Sequence, residues 1–387
     1  MRRGSHSIGL MLIAFFIVDP AKALSQEQLV LPRRVAKAIQ TQVLIAPTAG
    51  GAKQVGTYPA FPAILDLGSE ILVSYKHGRS HARDVGATLD LLRIDAESGI
   101  SSSPRVIAQL PDRIMQMGEW VRFPNGDIAN YIDVQTGASG RAGLHGIRST
   151  DGGKTFSGAQ PVGLIDGVEY GYAFDAVVKG ATTWMLAMTF SNLPGGQTIF
   201  PARPHAGAVA IVRSVDNGLS WRFVRDLTRE IGNRPINESC LIAHGNEFLI
   251  STRGYDQRQR LHRLDASFAL IDQVDLTEKY ACIESHLGRP RLFSRDGQIY
   301  LMGRNTSRRD QPMELSLFEI EPTTLAVTGW TILDNDAAEA VYDGYYAMAY
   351  FRGTGVDERM HVITYRGLRG LPGPEIIRLD FGWDEIR

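Results

Sequence analysis

The chain has 387 residues, 44% of them hydrophobic and 21% charged, with 41 basic against 42 acidic side chains. A balance this close to neutral leaves no electrostatic footprint for nucleic acid or for an anionic membrane surface. The length fits one closed repeat body, and beyond the N-terminal stretch no segment has the apolar length of a membrane span.

The first feature in chain order is a leader. Arg2 and Arg3 precede an apolar run over residues 8–18, and Ala21-Lys22-Ala23 then places small residues at the −3 and −1 positions of a cleavage site. That layout predicts a secretory signal peptide removed after Ala23, and with it an exported protein, periplasmic or secreted. Residues 24–41 are polar and basic, have helical propensity over 33–41, and are expected outside the main fold. Residues 42–47 form a short strand candidate.

The remainder repeats one pattern six times: an apolar strand, a turn glycine and a second apolar strand. The copies are 61–76 around Gly68, 119–133 around Gly126, 173–190 around Gly180, 238–253 around Gly245, 289–304 around Gly297 and 345–366 around Gly353. The glycines lie 58, 54, 65, 52 and 56 residues apart. A repeat of about 40 to 60 residues built of short strands marks a β-propeller. The predicted fold is therefore all-β, a six-bladed β-propeller over residues 42–387, with 42–47 and the C-terminal strand 375–381 as the candidates for closing the ring.

In a propeller the innermost strand of each blade lines the central channel. Residues seven or eight places before the glycine should then ring one pocket: Phe61, Glu119, Ala173 or Phe174, Glu238, Arg289 or Pro290, and Tyr345 or Tyr346. Lys76, Arg253 and Arg304, seven or eight places after the glycine, should ring the same opening. Antiparallel pairing returns the ends of a hairpin to one edge, which brings the Glu238 carboxylate to the Arg253 guanidinium. Cys240 and Cys282 stand near the starts of inner strands four and five, placed either for a disulfide in an exported protein or as plain buried thiols. Two cysteines without clustered histidines make no metal site.

Two octapeptides carry a second pattern, Ser-X-Asp-X-Gly-X-Thr/Ser-aromatic, at residues 149–156 and 214–221. The aspartates Asp151 and Asp216 suit turns in which a carboxylate accepts backbone N–H bonds, Gly153 and Gly218 take positive φ, and Phe156 and Trp221 pack between strands. These are read as structural parts of outer hairpins. Asp95, Asp265 and Glu321 end degraded versions of the same motif.

Two such Asp-boxes in a six-fold strand repeat resemble the sialidase (neuraminidase) superfamily, over residues 55–387. The resemblance implies an exo-glycosidase that releases a terminal sialic acid or related acidic sugar from a glycan or glycoconjugate, working as a monomer without metal or cofactor. The family attacks with a tyrosine instead of a carboxylate. Tyr345 resembles that nucleophile, with Tyr346 the alternative one position on. A free phenol has a pKa of about 10, so it needs a neighbour to take its proton, and Glu238 resembles that neighbour. Asp84, in the loop after the second strand of blade one, resembles the acid/base, with His81 and Asp90 as competitors. Arg253 and Arg304 resemble two members of the family's three-arginine clamp, whose rigid forks suit a carboxylate.

The pattern departs from the family in blade one. Where sialidases have Arg-Ile-Pro, this chain has Ala60-Phe61-Pro62, so Lys76, Arg79 or Arg83 would have to supply the missing cation. Glu119 opens a second reading, an exo-arabinanase-like hydrolase with a Glu119/Glu238 pair. Two more functions suit such a propeller: a polysaccharide lyase using His81 or His286 with a tyrosine, and non-catalytic glycan binding.

Overall fold

The computed structural model describes residues 27–49, 57–137, 140–190, 206–305, 313–337 and 344–386. The leader expected at 1–23 lies outside the described residues. Blade one consists of Tyr58–Asp66, Glu70–Gly78, Thr88–Asp95 and Arg105–Ala108, and blade two of Ile114–Arg122, Ile128–Gln135, Arg141–Ser149 and Gln160–Pro161. Blade three is Tyr172–Lys179, Thr182–Phe190, Ala206–Ser214 and Arg222–Asp226, and blade four is Ile236–His244, Glu247–Gly254, Gln259–Leu264 and Leu270–Asp275. Gly288–Arg295, Gln298–Asn305, Glu314–Glu321 and Ala326–Asp334 make blade five, and Met348–Arg352, Arg359–Arg366 and Glu375–Gly382 begin blade six.

The last blade takes its outer strand from the other end of the chain. Gln40–Ile45 pairs antiparallel with Glu375–Gly382, Thr41 opposite Leu379 and Ile45 opposite Ile376. The preceding segment is extended where its propensity suggested helix. Arg34–Val35 adds a parallel edge strand to blade five, opposite Thr331 and Ile332, and Leu29 bridges Tyr280. An isolated helix this short is unstable in water, whereas an open sheet edge offers unpaired backbone groups to any extended neighbour.

All six turn glycines have positive φ, from 57° to 89°. At Gly68, Gly126, Gly180, Gly245 and Gly297 an added Cβ would meet nothing within 4 Å, so the dihedral and not the space selects glycine there. The Asp-boxes close the outer turns through their carboxylates. Asp151 Oδ1 accepts from Ser149 Oγ (2.8 Å) and Thr155 N (2.9 Å), and Asp216 Oδ1 accepts from Ser214 Oγ (2.7 Å) and Ser220 N (2.9 Å). Asp265 and Glu321 each accept backbone N–H groups in the corresponding turns of blades four and five.

Apolar layers between the blades hold the ring together. Phe248 stacks on Phe268 at 4.2 Å with Trp184 of blade three edge-on to it, and Trp383 packs edge-on against Tyr300 and Phe351 between blades five and six. Each such buried aromatic contributes about 1.5–3 kcal/mol. Cys240 and Cys282 are free thiols, both buried. Among the described residues no helix is long and apolar enough to cross a membrane.

The feature that builds the site is a break in every inner hairpin. Register slips between Ala60 and Ala63, Met115 and Met117, Ala173 and Asp175, Ile236 and Ser239, and Gly288 and Arg291. In blade six Gly344 bridges Arg366, and pairing resumes only at Met348 opposite Ile363. A bulge bends its strand and re-aims the extra side chain. Phe61, Arg289 and Tyr345 sit in these breaks with φ of 55°, 44° and 56°, a backbone that costs a bulky residue roughly 1–2 kcal/mol.

Candidate active site

Four of the bulges supply walls of one cavity of about 150 Å³: Phe61 from blade one, Gln116 from blade two, Asn237 and Glu238 from blade four, and Tyr346 from blade six. Tyr172, Arg253, Arg304, Asp133, Gln135, Arg141, Met117 and His81 complete the lining.

Glu238 is the hub. Its Oε1 accepts a 2.6 Å bond from the Tyr346 hydroxyl and a 3.2 Å bond from the Tyr172 hydroxyl. Its Oε2 pairs with Arg253 and accepts from the backbone N of Arg289 at 3.2 Å. Burial opposes ionisation of this carboxyl, but the charges of Arg253 and Arg289, the Tyr346 hydrogen bond and Arg304 outweigh it and hold Glu238 well below the usual carboxylate range. Burial and the Glu238 charge together push the Tyr346 hydroxyl up to about 12, with Arg304 and Arg253 pulling down. At neutral pH the resting pair is therefore a phenol donating to a carboxylate, the arrangement a proton needs to leave Tyr346 as it attacks.

Two guanidiniums flank the pair. Arg253 lies against Glu238, and the Arg304 guanidinium carbon sits 5.5 Å from the Tyr346 ring centre while its Nη1 donates to Gly344 O at 3.1 Å. Arg304 is buried and its Nε has no acceptor among the described residues. Arg141, from the third strand of blade two, adds a third cation that sequence reasoning missed. It pairs with Asp133 at 2.9 Å and covers the rings of Tyr172 and Phe190.

Below the cavity wall lies a buried ion cluster. Glu119 accepts from Arg289 Nη2 at 2.6 Å and from both terminal nitrogens of Arg291, and Arg291 also reaches Asp175 at 3.1 Å. Arg289 Nη1 donates to the Tyr172 hydroxyl at 2.9 Å. Cavity and cluster together hold five guanidiniums, Arg141, Arg253, Arg289, Arg291 and Arg304, against four carboxyls, Asp133, Glu238, Glu119 and Asp175. Burial moreover pushes both Asp133 and Asp175 up to about 6, against their neighbouring guanidiniums. The site is thus electropositive and complementary to an anionic group.

Several sequence expectations land elsewhere. Tyr345 does not face the cavity: its hydroxyl donates to Asp334 and accepts from Ala337 N at 3.1 Å, and the ring packs in the core between blades five and six. Its left-handed backbone turns the next residue, Tyr346, into the channel instead. Asp84 is buried beneath the loop that carries it. It accepts from Lys76 Nζ at 2.7 Å, Arg79 N at 2.9 Å and Ser80 N at 3.3 Å, and it is not on the cavity wall. Lys76 is equally committed, donating to Asp84, Gln116 Oε1, Ser80 O and His81 O, so it offers no free cation for a clamp.

Arg79 and Arg83 are exposed, and Arg79 donates to Val85 O at 3.1 Å. Asp90 is taken by His77 and Thr88. Glu119 stands three residues past the blade-two bulge, where its two arginines consume it, so it forms no catalytic pair with Glu238. The cavity position of blade one belongs to Phe61, whose ring packs on Tyr346 at 5.1 Å and on His81 at 5.0 Å. Burial and the charges of Arg253 and Arg304 hold His286 neutral, at about 3.

Asp133 and Tyr172 likewise escape the sequence reading. Asp133 stands seven places after Gly126, the same offset that singles out Arg304, and Tyr172 is one place before Ala173. The repeat signal covers Asp133, but it marks the position and not the chemistry.

The chain is a six-bladed β-propeller whose central cavity holds a Tyr/Glu pair and arginines. No protein-family model matches the chain, and neither does any curated relative. Among solved structures it is similar to a Dyadobacter fermentans protein of unknown function, with 15% identity and a TM-score of 0.66 over 90% of this chain and 99% of that one. It is also similar to the NanB sialidase of Streptococcus pneumoniae, at 8% identity and a TM-score of 0.61 over 89% of this chain and 71% of that one. Trypanosoma rangeli sialidase in complex with sialic acid matches at 10% identity and a TM-score of 0.59, over 92% of this chain and 60% of that one. These likenesses establish a shared fold.

Proposed function

We propose that this chain is an exported exo-glycosidase of the sialidase type that releases a terminal acidic sugar through a tyrosyl-enzyme intermediate. The observation that carries the reading is the 2.6 Å bond from Tyr346 to an ionised Glu238, flanked by Arg253 and Arg304 in one cavity. Tyr346 attacks the anomeric carbon while Glu238 takes its proton. A neutral nucleophile suits a sugar whose anomeric centre bears a carboxylate, because a charged one would be repelled. Arg253 and Arg304 hold that carboxylate, and Arg141 stands where a third cation serves a clamp that lacks its blade-one member. The leader motif supports export with cleavage after Ala23, and the substrate is a glycan or glycoconjugate.

The test is release of a chromogenic aglycone from aryl α-glycosides of sialic acid and related acidic sugars, with Tyr346→Phe measured beside the parent chain. Turnover that Tyr346→Phe removes while the chain still folds cooperatively supports the reading. Unchanged turnover in Tyr346→Phe refutes the tyrosine mechanism, and saturable glycan binding without turnover moves the chain to the glycan-binding class.

A further inference from the structure

We propose that Tyr172, at the start of the inner strand of blade three, is the residue through which the buried ion cluster holds the Glu238 carboxylate in line with Tyr346. It is a positioning residue, acting on the base and not on the sugar. The assignment rests on the glycosidase reading above and gives the cluster a part in it.

The Tyr172 hydroxyl sits among three groups. It accepts from Arg289 Nη1 at 2.9 Å, stands 3.2 Å from Glu238 Oε1 and lies against Met117 Sδ. A guanidinium only donates, so the single phenol proton is left for one of the other two, and an ionised carboxylate outcompetes a thioether for it. The hydroxyl therefore points at Glu238. Burial keeps that proton in place by pushing the Tyr172 phenol well above its ordinary value, against the pull of Arg289.

Arg289 grips both oxygens of Glu238 from one bulge residue. Its backbone N donates to Oε2 at 3.2 Å, and its side chain holds Oε1 through Tyr172. The guanidinium is pinned in turn, with Nη2 donating to Glu119 Oε2 at 2.6 Å and Glu119 also bound by Arg291. The path thus runs from Glu119 in blade two through Arg289 in blade five and Tyr172 in blade three to the base in blade four.

A carboxylate has about four acceptor sites. Glu238 fills them with Tyr346 and Tyr172 on Oε1 and with Arg253 and the Arg289 N–H on Oε2. Tyr172 and Arg289 fix the rotation of the group, which leaves the Oε1 site facing Tyr346 for the incoming proton. Tyr172 keeps its own proton throughout the reaction.

The experiment measures kcat and KM of Tyr172→Phe on an aryl glycoside that the parent chain turns over, alone and in a Glu238→Gln background. Without the hydroxyl the carboxylate swings out of line, and a misplacement of about 1 Å costs up to about 10²-fold. In the parent background kcat should fall about 10–100-fold while KM changes less than about threefold, because the hydroxyl faces the base. In the Glu238→Gln background the same change should cost less than about threefold, since the group it positions is already gone. Equal losses in both backgrounds, a KM that rises as much as kcat falls, or no loss at all overturns the assignment. If Tyr172→Phe does not fold, 3-fluorotyrosine at position 172 keeps the contacts and donates a stronger hydrogen bond. Glu238 is then a weaker base and kcat should fall about 2–5-fold; an unchanged kcat overturns the assignment. Turnover that Tyr346→Phe abolishes and Tyr172→Phe spares overturns this proposal alone, whereas a parent chain inert on every acidic glycoside overturns both it and the reading it rests on.

Discussion

The Lys76–Asp84 pair distinguishes a structural carboxyl from a catalytic one, and Lys76→Met is the perturbation that tests it. The side chains are 0% and 3% exposed, and the ammonium also serves Gln116 and two loop carbonyls. Methionine keeps roughly the volume but removes the charge, leaving Asp84 with only the N–H groups of Arg79 and Ser80. Removing one partner of a buried pair costs about 3–5 kcal/mol. With an unfolding entropy of about 2.1 cal/mol/K per residue, a body of this size loses about 0.8 kcal/mol for each degree, so the midpoint should drop by about 4–6 °C.

The double variant Lys76→Met/Asp84→Asn removes the stranded charge and should recover at least about 1 kcal/mol, a coupling readable from a double-mutant cycle. The assay is thermal or urea unfolding of the four forms at pH 7, with glycoside turnover of Asp84→Asn recorded in parallel. Asp84→Asn should keep turnover within about 10-fold whatever the leaving group, since general-acid loss would cost about 10²–10⁴. A Lys76→Met chain as stable as its parent, or a folded Asp84→Asn chain that has lost alkyl-glycoside turnover, would refute the reasoning.

The two adjacent tyrosines should separate cleanly. Each tyrosine-to-phenylalanine change removes a buried hydroxyl-to-carboxylate bond and costs about 1–3 kcal/mol of stability, but only Tyr346→Phe should abolish turnover while Tyr345→Phe retains most of it; the reverse result would restore Tyr345 as nucleophile. Glu119→Gln strips the carboxylate from between Arg289 and Arg291 and should destabilise the fold by about 3–5 kcal/mol without distinguishing good from poor leaving groups, and a variant of normal stability that lacks turnover would revive the two-carboxylate mechanism. Burial of Asp133, which raises its carboxyl to about 6, has a stability consequence. Between its ordinary 3.8 and about 6 the folded chain binds more protons at Asp133 than the unfolded chain does, so this group's contribution falls as pH rises through that window. Urea unfolding across about pH 4 to 6 checks it, and an Asp133→Asn chain whose stability has the same pH slope as the parent's there would contradict the sign.

Period and spacing, read from the chain alone, determined the propeller and its six inner hairpins, because a positive-φ turn favours glycine and a strand covered on both faces reads as a near-continuous apolar run. The same spacing brought Glu238 and Arg253 to one edge, since antiparallel pairing relates the ends of any hairpin of known turn. Spacing lost its hold at the bulges. One extra residue in a strand changes which side chain faces the channel, and nothing in Asp343-Gly344-Tyr345-Tyr346 announces that Tyr345 takes a left-handed backbone and yields the cavity to Tyr346. Contacts between blades were equally beyond a linear reading. That Arg289 and Arg291 of blade five neutralise Glu119 of blade two, and that Arg289 also reaches Tyr172 of blade three, are facts of closure. Ring formation packs residues distant in sequence into a space where burial and charge, and no longer residue type, decide which groups are free to react.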